Sequence, residues 1–137
     1  MIWDGIGYFR EELQETLGLL LEDNVKPTTK RLLERFIEGR GIWINWDWIK
    51  DDQLRGLYAD LRSSGRRQVI FISHEQSEAE KLETLSHELA HYFIGKEEAK
   101  AKALGAMLLE ATKETIKKAA PPSKHSMYSV FKALGTS

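Results

Sequence analysis

The chain has 137 residues, 42% hydrophobic and 30% charged, with a net charge of -1 and no cysteine. That is enough apolar material for one packed domain, and the near-neutral balance gives no general attraction to nucleic acid or to an anionic membrane. Disulfides and thiolate metal sites are excluded, so any metal must be held by imidazole and carboxylate.

Taken in chain order, residues 8–22 read as a helix with Phe9, Leu13, Leu17 and Leu20 or Leu21 on one face. Asp23 to Pro27 breaks it. Thr28 or Thr29 then caps a second helix carrying Leu32, Leu33, Phe36 and Ile37, which Gly39 ends. From Gly41 to Trp48, Ile42, Ile44, Trp46 and Trp48 alternate with Trp43, Asn45 and Asp47, the period of a strand with one apolar face. The three tryptophans of this strand are expected in the core.

Asp51 or Asp52 is expected to open a short helix with Leu54, Leu57, Tyr58 and Leu61, closed by Ser63-Ser64-Gly65. Gln68 to Ser73 is a second strand, dense in β-branched residues. Two strands make a marginal sheet, so a third is expected near residues 2–8 or 72–76. Ser77-Glu78-Ala79-Glu80 has the form of a capping box, which opens a helix over 78–94 stopped by Gly95. Lys96-Glu97-Glu98 opens the next helix, and Pro121-Pro122 ends it; residues 126–134 form a last short helix. The order makes an α+β class, a helix-rich single domain with a small sheet. Its core spans about 28–120, and 121–137 is a tail. The longest apolar run, Leu19-Leu20-Leu21, is far too short to span a bilayer. The first residues lack the basic start and apolar stretch of a secretory signal, so a cytoplasmic location is expected.

The chemistry lies in His87-Glu88-Leu89-Ala90-His91. Residues four apart share a helix face, so both histidines can turn an imidazole nitrogen toward one ion. Zinc takes nitrogen ligands at about 2.0–2.1 Å in a tetrahedral site. Glu88 lies beside the metal without having to touch it and is placed to act as general base on a zinc-activated water. Leu82, Leu85, Leu89 and Phe93 form a separate core face on the same helix, while Glu80 and Thr84 lie toward the rim of a cleft.

A catalytic zinc keeps three protein ligands and one open position. Glu98 lies three residues past the Gly95 turn and His91 four before it, positions that approach each other in a tight helical hairpin. Glu97, six residues after His91, is the rival. His74, after the second strand, is read as a surface histidine. His125 and Tyr128 are read as parts of a plain C-terminal helix, Tyr92 as core or rim. Arg62, Arg66 and Arg67 cluster at a loop but lack the interleaved aromatics of a nucleic-acid surface.

Thr84-Leu85-Ser86-His87-Glu88-Leu89-Ala90-His91-Tyr92-Phe93 resembles the active helix of the ImmA/IrrE metallopeptidases. Glu98, Ala101, Leu104, Gly105, Leu108 and Leu109 resemble that family's glutamate helix. Three departures stand out: a short linker after His91, Lys100 in place of an acid, and Glu110-Ala111 in place of Met-Pro. The resemblance implies a minimal, zincin-like fold with the small sheet packed on the catalytic helix, a Zn2+ cofactor, and a protein or peptide substrate, for several members a transcription regulator. The reading that follows is a zinc metallopeptidase with His87, His91 and Glu98 as ligands and Glu88 as catalytic base. The alternative is a non-catalytic zinc-binding regulatory or interaction module.

Overall fold

The computed structural model describes residues 3–48 and 54–119. Helix α1 (Ile6–Glu22) and helix α2 (Thr29–Gly39) precede strand β1 (Ile42–Trp48). Strand β2 (Gly56–Asp60), a short turn of 3-10 helix and strand β3 (Gln68–Ser73) follow, then helices α3 (Glu78–Ile94) and α4 (Glu98–Ala119). The class is α+β, as the sequence predicts. Among the described residues no helix is long and apolar enough to cross a membrane.

The helices form where the apolar spacing puts them. Phe9, Leu13, Leu17 and Leu20 of α1 are buried, whereas Leu21 is exposed. Thr28 caps α2 by accepting the Arg31 amide at 3.1 Å. Ser77 accepts the Glu80 amide at 3.2 Å, and Glu80 accepts the Ser77 amide at 3.1 Å, which completes the capping box of α3. Loss of such a cap costs about 1 kcal/mol. Ser77→Ala is therefore expected to lower stability by about that amount in a denaturant titration, with the fold intact.

The sheet corrects one expectation. Residues 56–60 are a strand, not part of a helix, and this strand is the third one, in place of a strand near 2–8 or 72–76. The expected helix start at Asp51 or Asp52 lies outside the described residues. Leu54, Leu57, Tyr58 and Leu61 have helical spacing, but Gly56 weakens a helix by about 1 kcal/mol and β3 offers a partner. Tertiary pairing decides the outcome, as it commonly does for short segments. The order is β1-β3-β2, with β1 parallel and β2 antiparallel to β3. A central position explains the dense Val69-Ile70-Phe71-Ile72 run of β3.

Ile42, Ile70 and Ile72 point from the sheet into the core, where they meet Leu85 and Leu89 of α3 and Leu32, Leu33 and Ile37 of α2. Helix α4 packs behind α3, and α1 lies across α2 and α4. Among the described residues no helix covers the other face of the sheet. Trp43 lies there, 55% exposed, with the Arg67 guanidinium 4.3 Å above its ring; the expectation of a core tryptophan does not hold for it. Trp46 and Trp48 are half-buried. The expected helix at 126–134, with His125 and Tyr128, lies outside the described residues.

Candidate metal centre

His87 and His91 stand one turn apart on α3, with their ring centroids 4.9 Å apart and their Nε2 atoms separated by 3.2 Å. Gly95 ends the helix at φ +88, a backbone conformation open chiefly to glycine. The turn brings its carbonyl 2.7 Å from His91 Nδ1. A carbonyl oxygen only accepts, so His91 Nδ1 donates to it, the usual way a metal-ligating imidazole is oriented with its other nitrogen toward the ion.

The turn also returns the chain to the histidines. Glu98 Oε1 is 2.8 Å from His91 Nε2, and Glu98 Oε2 is 3.1 Å from His87 Nε2. Glu97 faces the other way and pairs with Lys100 at 3.2 Å. The hairpin thus brings Glu98, and not Glu97, to the histidine pair. Three groups of lone-pair donors converge here, an arrangement that needs a proton or a cation between them. Two imidazoles and a carboxylate without thiolate form a donor set that suits zinc. Donor atoms of His87, Glu88 and His91 all lie within 4.8 Å of one another.

Glu88 turns toward the sheet. It is buried, at 8% exposure, and its Oε1 accepts the Tyr58 main-chain N–H at 3.0 Å. Burial pushes its carboxyl above the ordinary range, while His87, His91 and the Tyr58 amide pull it back. Tyr58 has an amide to spare because β2 is an edge strand. Arg55 and Leu61 spend main-chain groups on the β3 side, and in an antiparallel pair the alternate residues turn theirs outward. Gly56, Tyr58 and Asp60 therefore turn their main-chain groups to the edge left unpaired by the described strands, and Glu88 takes the Tyr58 N–H there.

Two glycines let α3 sit this close to its neighbours. A Cβ at Gly56 would collide with Thr84 Cγ2 and stand 3.0 Å from the Phe71 carbonyl oxygen and 3.3 Å from Glu88 Cγ. A Cβ at Gly105 would stand 2.9 Å from His87 Cα. The helix segment holding the motif is wedged between strand β2 and helix α4. Gln76 adds a tie: it accepts the Thr84 hydroxyl at 2.6 Å and donates to the Arg55 and Ser73 carbonyls, both at 3.0 Å. Sequence reasoning missed Gly56 and Gln76, the Tyr58 amide as a partner of Glu88, and the close approach of Gly105 to His87. For the glycines the available signal was their interruption of otherwise regular patterns; a main-chain donor such as Tyr58 N–H leaves no trace in residue type.

The other expected positions take ordinary places. His74 is exposed in the turn after β3, and Tyr92 is half-buried with its hydroxyl 3.4 Å from Arg40. Arg40 in turn holds Glu12 through two hydrogen bonds, at 2.6 and 2.7 Å, and lies over the rings of Phe36 and Phe93.

No curated protein and no solved structure matches the chain. Residues 37–121, from the end of α2 through α4 and so across the whole site, match the peptidase family described as IrrE N-terminal-like domain. With more than half of its length matched, and with His87, Glu88 and His91 on the matched segment placed so that they could hold a metal ion, the chain belongs to the IrrE N-terminal-like family of metallopeptidase-type proteins.

Proposed function

We propose that the protein is a zinc-dependent endopeptidase that hydrolyses a peptide bond of a protein partner. The observation that supports this most is the convergence of His87 Nε2, His91 Nε2 and the Glu98 carboxylate, with the Glu88 carboxylate close by and held by the Tyr58 amide. His87, His91 and Glu98 would hold the ion. When bound, zinc supplies a Lewis acid that polarises the scissile carbonyl and lowers the pKa of a water to about 7.

The chain's own groups supply the rest. Glu88 takes the proton from the attacking water and delivers it to the leaving amine. The Tyr58 amide holds one of its oxygens, leaving the other for the proton. The Gly56 main chain and the Tyr58 carbonyl offer the remaining outward groups of β2 to an extended substrate, the mode in which a peptide adds a strand to a sheet edge. A transcription regulator is the first substrate class to try, in line with the resemblance to proteins that inactivate repressors.

Metal analysis tests the ligand set. Purified protein is expected to carry one zinc per chain, and chelation to abolish peptide hydrolysis until zinc is restored. Glu98→Gln is expected to weaken zinc binding by about a hundredfold or more, beyond the 10–100-fold typical of an outer-shell loss. Glu97→Gln, which removes only an exposed partner of Lys100, is expected to leave the affinity unchanged. Equal losses in the two variants would exclude Glu98 as the third ligand.

A further inference from the structure

Beside the histidine pair, α3, α4 and residues 54–56 border a half-open cavity of about 620 Å³. Its lining includes His87, Glu88 and Glu98, so a group lodged in it lies next to the bond that Glu88 would serve. The volume is that of a ligand site and accepts a large side chain with some of its flanking main chain.

The α4 wall decides what fits. Lys102, Ala106, Glu110 and Lys113 all line the cavity, and their spacing of four, four and three puts them on one helix face. Ala106 is a gap in an otherwise charged stripe. It is solvent-exposed and is no part of the core, so packing does not demand a small residue there. With Gly105 behind it and Leu109 one turn on, the gap gives the cavity an apolar floor; Leu54 faces it from the strand side.

Charge at the mouth does not select. Arg55, Lys102 and Lys113 face Glu83, Glu98 and Glu110 in the lining, so an entering cation or anion meets both signs. It would also exchange water for the floor of Leu109 and Ala106, which is unfavourable for a charged group. A bulky apolar side chain gains from the same exchange.

We propose that this cavity is the specificity subsite, that it takes a bulky apolar residue adjoining the scissile bond, and that Ala106 and Leu109 set its size. The proposal rests on the peptidase reading above.

The test uses zinc-loaded full-length protein and hydroxamates bearing one variable group: isobutyl, benzyl, aminobutyl, carboxymethyl or hydrogen. Binding is measured by calorimetry, so no turnover is needed. The isobutyl and benzyl compounds are expected to bind about tenfold or more tighter than the hydrogen compound, within the 10–200-fold that apolar pocket contacts provide. The two charged compounds are expected to show no such gain. In Ala106→Phe, a change on an exposed helix face, the apolar preference is expected to fall to within about twofold, with zinc affinity and the hydrogen compound's affinity unchanged. A preference that survives Ala106→Phe, or charged compounds that bind as tightly as the isobutyl one, overturns the subsite assignment and leaves the peptidase reading standing. Failure of every hydroxamate, the hydrogen compound included, means that the zinc has no open position and overturns both.

Discussion

Zinc-loaded Glu88→Gln protein is expected to keep its metal and to hydrolyse peptides about 10²–10⁴ times more slowly than the parent chain. The substitution changes one atom. A glutamine oxygen still accepts the Tyr58 amide that Glu88 accepts at 3.0 Å, so the side chain keeps its place between β2 and α3. What disappears is the group able to take and return a proton. Stability is not expected to fall, because the variant removes a carboxylate from a site of 8% exposure, and an ionised group in such a place costs free energy that a neutral amide does not. The experiment reads three quantities: zinc affinity, melting temperature and the rate of peptide hydrolysis. Their pattern separates the two functions that the motif allows. In a closed, non-catalytic site Glu88 would be a fourth ligand, and Glu88→Gln would weaken zinc binding. The short separation of Glu88 from the histidine nitrogens, within 4.8 Å, makes that comparison informative. Unchanged zinc affinity with lost hydrolysis marks a base; lost affinity marks a ligand and sinks the peptidase mechanism proposed above.

The parts of the site that were legible in the sequence depend on local geometry. His87 and His91 share a face because helices have a fixed pitch, and Ser77 with Glu80 announces the helix that carries them. The approach of Glu98 to His91 follows from a turn at Gly95 that is readable as a stop signal. Strand β2 was not legible. Leu54, Leu57, Tyr58 and Leu61 satisfy a helical period by chance of spacing, and residues 56–60 become a strand only because β3 has a free edge to pair with. The consequence reaches the chemistry, since the Tyr58 amide that holds Glu88 exists as a free donor only at that edge. The cavity was hidden for a similar reason. Ala106 looks like a routine helix former until α4 is seen to lie against the motif segment of α3.

Gly105→Ala is expected to destabilise the protein by about 1–3 kcal/mol, the usual cost of forcing an extra group into a packed interior, and to weaken zinc binding about tenfold or more. The sign is the informative part, because glycine to alanine inside a helix ordinarily stabilises by about 1 kcal/mol. Gly18 in α1 supplies the contrast: a Cβ there meets nothing within 4 Å, so Gly18→Ala is expected to raise stability by about 0.4–1 kcal/mol. At Gly105 the new Cβ would stand 2.9 Å from His87 Cα, 3.1 Å from His87 N and 3.3 Å from the Ser86 carbonyl carbon. These are backbone atoms of a packed helix and have no rotamer through which to yield. The strain is relieved only if α4 moves away from α3. Glu98 sits seven residues before Gly105, two turns along the same face, so the movement draws its carboxylate from the histidines it meets at 2.8 and 3.1 Å. A metal site tolerates displacements of only about 0.5 Å, which is why the affinity should fall with the stability. Paired urea titrations and zinc competition assays on the two variants decide the matter. If Gly105→Ala behaves like Gly18→Ala, the close crossing of α3 and α4 does not hold the ligands in register. If instead it loses stability and zinc together while Gly18→Ala loses neither, the absence of a single methyl group is what allows a carboxylate from one helix to complete a site begun on another.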